Sequence, residues 1–155
     1  MAISYWLMKS EPSAFSIEDL KNSEGKTTYW NGVRNYQARN FLRDEIKKGD
    51  KVLFYHSNAE PTAAVGVCEV VKSGYPDYTA FDPESKYFDP KSTPDNPTWY
   101  MVDIKLKSVF KKAVTLEQMR MNSKLKEIKL LQRGNRLSVL PVTKEEFDTI
   151  LKMGE

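Results

Sequence analysis

Residues 51–71 read KVLFYHSNAEPTAAVGVCEVV, and this stretch decides the fold class. Lys51–Tyr55 and Ala63–Val71 are rich in β-branched and aromatic residues, which is the composition of strands. The residues between them, 56–61, are mostly short and polar and end in proline, which is typical of a loop. The stretch therefore predicts a hairpin-like pair of neighbouring strands in the middle of the chain.

Four shorter segments have the same strand-like composition. They are Tyr5–Met8, Thr27–Trp30, Val102–Leu106 and a closing segment that begins at Leu137. Val102–Leu106 alternates apolar and polar residues with the period of two that is typical of a half-buried strand. Pro12 halts the first segment because proline cannot donate to a ladder, and Asn31-Gly32 is a turn signal after the second.

Helices are predicted between and after the strands. The clearest covers Asn35–Lys48, where apolar residues recur at helical spacing and Gly49 provides a C-terminal stop. Asn35 is its predicted N-cap, because its side chain can accept from exposed backbone amides. Shorter helices are marked by capping pairs or by apolar spacing: Ser16 with Asp19, Thr115 with Gln118, Leu125–Leu131, and Thr143 with Glu146.

This mixture indicates an α+β fold, with a curved mixed sheet or small open β-barrel flanked by helices. A length of 155 residues suits a single domain over residues 1–155. No apolar run approaches the roughly 20 residues of a membrane-spanning helix, so we expect no membrane contact. One cysteine and one histidine provide too few groups for a disulfide or a structural zinc site. We expect a monomer without metal or cofactor, cytoplasmic, or nuclear in a eukaryote.

Charge is unevenly distributed, although the net charge is only +3. Residues 101–136 carry ten Lys or Arg against three Asp or Glu, whereas residues 73–98 carry two against five. A basic cluster is the electrostatic footprint of a phosphate-backbone partner. A lysine-rich face that contacts only solvent explains the same pattern, so charge alone does not decide for nucleic acid.

Catalytic arrangements have little support in the sequence. His56 lies beside Ser57, but adjacent residues of a strand point to opposite faces, and the chain has no second histidine. Cys68 lies in an apolar strand and is predicted to be a buried, unreactive thiol. The chain has no glycine-rich phosphate loop. We therefore predict that the protein is not an enzyme.

Two clusters of polar and aromatic residues suggest a binding pocket. Residues 29–40 read YWNGVRNYQARN, and residues 55–58 read YHSN. Planar rings with amide and guanidinium groups can sandwich a flat heterocycle and bond to its edge. Core aromatics beside a polar helix cap explain the same residues, so residue chemistry alone leaves both interpretations open.

At these residues the chain resembles the EVE domain family of the PUA-like superfamily, in its stand-alone bacterial form. The motifs occur in order along nearly the whole chain. They are YWLMKSEP at 5–12, WNGVRNYQARNFL at 30–42, GD at 49–50, FYHSN at 54–58, YPD at 75–77 and RLSV at 136–139. The chain begins without a basic extension before the first motif, which favours a prokaryotic, cytoplasmic setting.

The resemblance implies a PUA-like fold and a non-catalytic pocket that reads a modified base, of the modified-cytosine type, in DNA or RNA. The pocket residues that it implies are Trp30, Gly32, Val33, Arg34, Tyr55, Ser57 and Asn58, with Lys9, Ser10 and Arg39 as further candidates. Trp30 is expected to stack on the base and residues 57–58 to bond to its edge. The two arginines and the lysines of 101–136 are expected to hold phosphates. Asn31 departs from the acidic residue expected in the family.

Two other functions stay open on the sequence. An enzyme acting on a nucleobase or a small heterocycle would use His56 as its acid–base group, because histidine titrates near neutral pH. A protein-interaction module would instead use the aromatic, proline-rich loop Gly74–Pro97 as its docking surface.

Overall fold

The computed structural model describes residues 3–132 and 137–155 as one mixed sheet with helices around it. The strands are β1 (Tyr5–Ser10), β2 (Thr27–Tyr29), β3 (Lys51–His56), β4 (Ala63–Pro76), β5 (Tyr100–Thr115) and β6 (Val139–Val142). Their order is β2-β5-β4-β3-β1-β6, with β1 and β3 parallel and the other neighbours antiparallel. Because β2 and β6 are edges, the sheet is open. The predicted α+β class with an open mixed sheet is confirmed.

The four α-helices of the described residues begin where the sequence predicts. They are α1 (Ile17–Lys21), α2 (Tyr36–Asn40), α3 (Leu116–Arg120) and α4 (Lys144–Met153). The three predicted capping boxes at the starts of α1, α3 and α4 are all formed. Asn35 caps α2, because the Ala38 amide donates to Asn35 Oδ1 at 3.0 Å. Residues 125–131 form parts of two short 3₁₀ turns.

The predicted end of the second helix is wrong. The helix predicted to reach Lys48 ends at Glu45, and its last turn is π-helical. The backbone amide of Lys47 donates to Asp50 Oδ2 at 2.9 Å, and that of Lys48 donates to Ser73 Oγ at 2.9 Å. These acceptors, outside the helix, take the amides that a longer helix would have used.

Strands β4 and β5 are longer than predicted, with 14 residues in β4 and 16 in β5. Their register shifts at four points along the ladder. Such bulges bend a strand and increase its twist, so β4 and β5 stay paired along their length while the sheet curves. The Gly74–Pro97 loop correspondingly begins later than predicted, since β4 runs to Pro76.

Side-chain alternation along the strands divides the apolar core between the two faces of the sheet. The first core cluster contains Trp6, Met8, Trp30, Phe54 and Cys68, among others. The second core cluster lies against α3 and α4 and contains Leu7, Leu53, Tyr55, Met119 and Phe147, among others. Cys68 is fully buried, so its predicted burial is confirmed, and burial raises its pKa to about 12. That the thiol is unreactive stays a prediction.

No helix within residues 3–132 and 137–155 is long and apolar enough to cross a bilayer. No group of three or more His, Cys, Asp or Glu side chains there is arranged to hold a metal ion. Arg136, which opens the last sequence motif, lies outside the described residues.

Candidate functional site

A cavity of about 640 Å³ opens where the end of β1 meets the loop that follows β2. This volume is typical of pockets that hold small molecules or cofactors. The cavity is lined by Lys9, Ser10, Glu11, Ala14, Phe15, residues 28–34, Lys86, Tyr87 and Ser138. Segments far apart in the chain therefore build one site.

Trp30 forms an aromatic part of the cavity wall. It is 8% exposed, and its ring meets Phe54 edge-on with the ring centroids 5.6 Å apart. The indole N–H groups of Trp6 and Trp99 donate to carboxylates, whereas Trp30 Nε1 has no acceptor among the described residues. No solvent-inaccessible side-chain nitrogen or oxygen among the described residues lacks a hydrogen-bond partner. The Trp30 N–H is therefore accessible and free to donate.

Gly32 allows the backbone to approach the Tyr87 ring on this wall. Its φ is +79°, and a Cβ added there would lie 2.5 Å from the nearest ring atom of Tyr87. Glycine alone combines an unstrained positive φ with so close an approach. The turn signal Asn31-Gly32 thus marks the point where the loop meets a residue 55 positions later.

The side chain of Asp77 holds the loop that contains Gly32 in place. Its buried carboxylate accepts through Oδ2 from Gly32 N at 2.8 Å and from Arg34 Nη1 at 3.1 Å. Through Oδ1 it accepts from the amide and the hydroxyl of Thr79. Arg34 also donates through Nη2 to the Tyr87 carbonyl at 2.6 Å. These charge-assisted bonds join the loop that contains Gly32 and Arg34 to the segment that contains Asp77 and Tyr87. The donors of Arg34 are therefore directed at protein acceptors.

Lys9 places a positive charge in the cavity. Desolvation by burial lowers the pKa of Lys9 from its ordinary value. None of the ion pairs within the described residues includes Lys9. A half-buried ammonium without a carboxylate partner favours an anionic or carbonyl acceptor from a ligand.

The cavity brings together six of the ten residues that the sequence singled out. They are Lys9, Ser10, Trp30, Gly32, Val33 and Arg34. Ser10 has a structural bond as well, because its hydroxyl donates to the Phe15 carbonyl at 2.6 Å. Their role in ligand binding stays a prediction.

The structure does not bring the other four, Tyr55, Ser57, Asn58 and Arg39, to this cavity. Tyr55 belongs to the second core cluster, on the opposite face of the sheet from Trp30, and burial raises its pKa to about 12. Asn58 Nδ2 donates to Glu11 Oε1 at 2.6 Å. Arg39 Nη1 donates to a backbone carbonyl at 2.7 Å, and its guanidinium lies 5.2 Å from the Tyr36 ring centroid.

Sequence reasoning missed several residues of the wall. Tyr87 and Lys86 line the cavity but lie in the Gly74–Pro97 loop, which was predicted only as a surface for docking another protein. Ser138 belongs to the motif at 136–139, which was a sequence signal for its inclusion. None of the described lysines in 101–132 lines the cavity, and Lys107 instead pairs with Glu69 at 3.6 Å.

His56 has a structural contact. Its Nε2 accepts from the backbone amide of Ile17 at 3.1 Å, at the first residue of α1. The ring also meets Phe54 edge-on, and burial lowers the pKa of His56 from 6.5. The lone pair that a general base would use is therefore engaged by the backbone.

Known proteins resemble this chain over nearly its whole length. The EVE domain model matches residues 4–153. Thymocyte nuclear protein 1 of Mus musculus is 44% identical, over 98% of this chain and 74% of that protein. The crystal structure of human THYN1 protein in complex with 5-methylcytosine containing DNA is 43% identical, with a TM-score of 0.91 over 98% of both chains. A hypothetical protein from Leishmania major is 46% identical, with a TM-score of 0.92 over 99% of this chain and 95% of that one. This chain belongs to the EVE domain family, as its sequence motifs predicted.

Proposed function

We propose that this protein binds nucleic acid containing a modified base of the modified-cytosine type and holds that base, extruded, in the cavity. The observation that carries the proposal is that Trp30 and Lys9 line one cavity of about 640 Å³. Within the described residues, the Trp30 N–H has no acceptor and the Lys9 ammonium has no ion-pair partner. The complex of the related human protein with DNA that contains 5-methylcytosine supports DNA as the partner.

Each wall of the cavity suits one part of a flat base. The Trp30 ring offers a stacking surface, and base–aromatic stacking contributes about 1–3 kcal/mol per base in single-strand systems. The Trp30 N–H and the Lys9 ammonium are donors for ring nitrogen or carbonyl acceptors on the edge of the base. Gly32 and Tyr87 limit the width of the site on another side.

We assign the phosphate contacts to a cation other than those expected from the sequence. The donors of Arg34 are engaged by Asp77 and by the Tyr87 carbonyl, so Arg34 acts by holding the wall. Lys86 is exposed at the cavity and is the cation best placed for a neighbouring phosphate. Such contacts add affinity without reading sequence and weaken as salt rises.

The proposal describes a binding protein and not an enzyme. It is supported by the engaged Nε2 of His56 and by the burial of Cys68, whose pKa is about 12. Binding to RNA as well as DNA stays a prediction. So do a monomeric state, a single domain over residues 1–155 and a cytoplasmic location.

The test compares oligonucleotides that differ only in one 5-methylcytosine, as DNA and as RNA, at two salt concentrations by fluorescence anisotropy. We expect the wild type to prefer a modified strand. Trp30→Ala removes the stacking surface, so it loses about tenfold or more in affinity for that strand. It retains weak, salt-sensitive binding, and Trp30→Phe keeps part of the preference.

Met121→Ala is the control, because Met121 is 82% exposed and lies outside the cavity. Its affinity and preference should equal those of the wild type. A preference that survives Trp30→Ala, or one that disappears in Met121→Ala, contradicts the placement of the base in this cavity.

A further inference from the structure

Exposed aromatic side chains are concentrated in two of the chain segments that line the cavity. In the described part of the chain, the most exposed aromatic side chains are those of Tyr29 (43%), Tyr36 (62%), Tyr78 (51%) and Phe88 (39%). All four lie in residues 29–36 and 78–88, the two segments that contain Trp30 and Tyr87 of the cavity wall. Scattered single apolar residues are normal on a surface, but a grouped set indicates a binding surface.

Tyr29 and Tyr78 form a pair within this group. Their ring centroids are 5.5 Å apart and the ring planes are inclined by 61°. Tyr29 lines the cavity and directly precedes Trp30. Since Trp30 is buried in the first core cluster, alternation of side chains along an extended segment turns Tyr29 outward. The pair therefore adjoins the cavity mouth on its solvent side.

The backbone under both rings is held in place. Tyr29 pairs with Asp103 in the ladder between β2 and β5. Tyr78 begins a 3₁₀ turn that Asp77 caps by accepting from the Thr79 amide at 2.9 Å. Asp77 is also the residue that holds Gly32 in the cavity wall. Two exposed rings on such supports bind a partner without first losing much conformational freedom.

We propose that Tyr29 and Tyr78 form a second nucleobase site, on which the base next to the extruded one stacks. This inference rests on the proposed function. Extruding a base leaves its neighbour without a stacking partner on one side, and an exposed aromatic ring at the mouth replaces that partner. Every base has a π-face, so the site tolerates any sequence beside the modified base.

The test uses single strands with one 5-methylcytosine in which the 5′ or the 3′ neighbour is either a normal nucleotide or an abasic one. For the wild type, we expect one of the two abasic neighbours to lower the affinity by roughly 5- to 100-fold. The double variant Tyr29→Ala/Tyr78→Ala should show the same loss with the intact strand and no further loss with the abasic one. The single variant Tyr78→Ala leaves the residues that line the cavity unchanged, so it should bind the free modified nucleoside as tightly as the wild type.

Two variants serve as controls. Tyr29→Phe/Tyr78→Phe keeps both rings and should retain the affinity of the wild type for the intact strand. Met121→Ala removes an apolar side chain that is 82% exposed just after α3 and lies outside the cavity, and it should change nothing.

The outcomes separate this site from the cavity. Equal affinity of the double alanine variant and the wild type for the intact strand overturns the second site and leaves the cavity function standing. The second site is also overturned if neither abasic neighbour lowers the affinity of the wild type. If Tyr78→Ala also loses the free nucleoside, Tyr78 acts through the cavity and the separate site is refuted. If the wild type binds no modified strand or nucleoside, the proposed function itself fails.

Discussion

Replacing Gly32 with alanine tests whether the cavity wall depends on the close approach of backbone and ring. The added Cβ lies 2.5 Å from the nearest Tyr87 ring atom and within 2.9 Å of two more. Atoms do not approach so closely, so the Tyr87 ring or the loop has to move. Because Tyr87 and Gly32 both line the cavity, the movement changes the site as well as the stability.

The magnitude follows from two contributions. A non-glycine residue with a left-handed backbone costs about 1–2 kcal/mol, and overpacking a tight contact adds about 1–3 kcal/mol. We expect Gly32→Ala to lower the free energy of unfolding by about 2–5 kcal/mol, the sum of the two. Gly25 is a matched control, since its φ is +62° and its added Cβ meets nothing closer than 3.8 Å. Gly25→Ala should therefore cost about 1–2 kcal/mol.

Urea denaturation of the wild type and both variants measures these differences, and anisotropy with a 5-methylcytosine strand measures the site. Gly32→Ala should be less stable than Gly25→Ala by about 1–3 kcal/mol and should bind the modified strand at least several-fold more weakly. Gly25→Ala should bind as the wild type does. Equal stability and equal affinity of the two variants would refute the role of the contact between Gly32 and Tyr87.

Three further predictions concern buried groups. Asp77→Ala leaves partly exposed Arg34 without its carboxylate, so urea denaturation should show a loss of about 2–4 kcal/mol; a loss below 1 kcal/mol contradicts this. Because burial lowers the pKa of His56, its contribution to the free energy of unfolding is complete above pH 6.5 and is lost as pH falls through the folded-state pKa. His56→Gln should remove this loss from a plot of the free energy of unfolding against pH. A plot that the substitution leaves unchanged contradicts the prediction. Cys68, with its pKa raised to about 12, should react with a thiol reagent only after denaturation; rapid native labelling contradicts this.

Features of the fold that depend on neighbouring residues could be predicted from the sequence. The capping boxes at Ser16, Thr115 and Thr143 form because each cap and its partner lie three residues apart. Features that depend on distant acceptors could not. The helix after Asn35 ends early because Asp50 accepts from the amide of Lys47 and Ser73 from that of Lys48, and no local pattern indicates those bonds.

The candidate site was predicted in part, for the same reason. Trp30 and Gly32 were identified by their motif, and Lys9 by the motif of β1, and all three line one cavity. Tyr55 was grouped with them because its motif is shared, yet the strand period of two already places it on the face of Leu53 and away from Phe54. Tyr87 was missed because its contact with Gly32 spans 55 positions of the chain.

The indole N–H resonances of the three tryptophans test the central claim most directly. In a ¹H–¹⁵N correlation spectrum, Trp→Phe variants assign the signals, and a short strand with one 5-methylcytosine is then titrated in. The N–H groups of Trp6 and Trp99 already donate to carboxylates at 3.0 and 2.7 Å, whereas that of Trp30 has no acceptor among the described residues. We predict that the Trp30 signal moves most and that an unmodified strand moves it less. Saturable binding of the modified strand with the Trp30 signal unmoved would contradict the account.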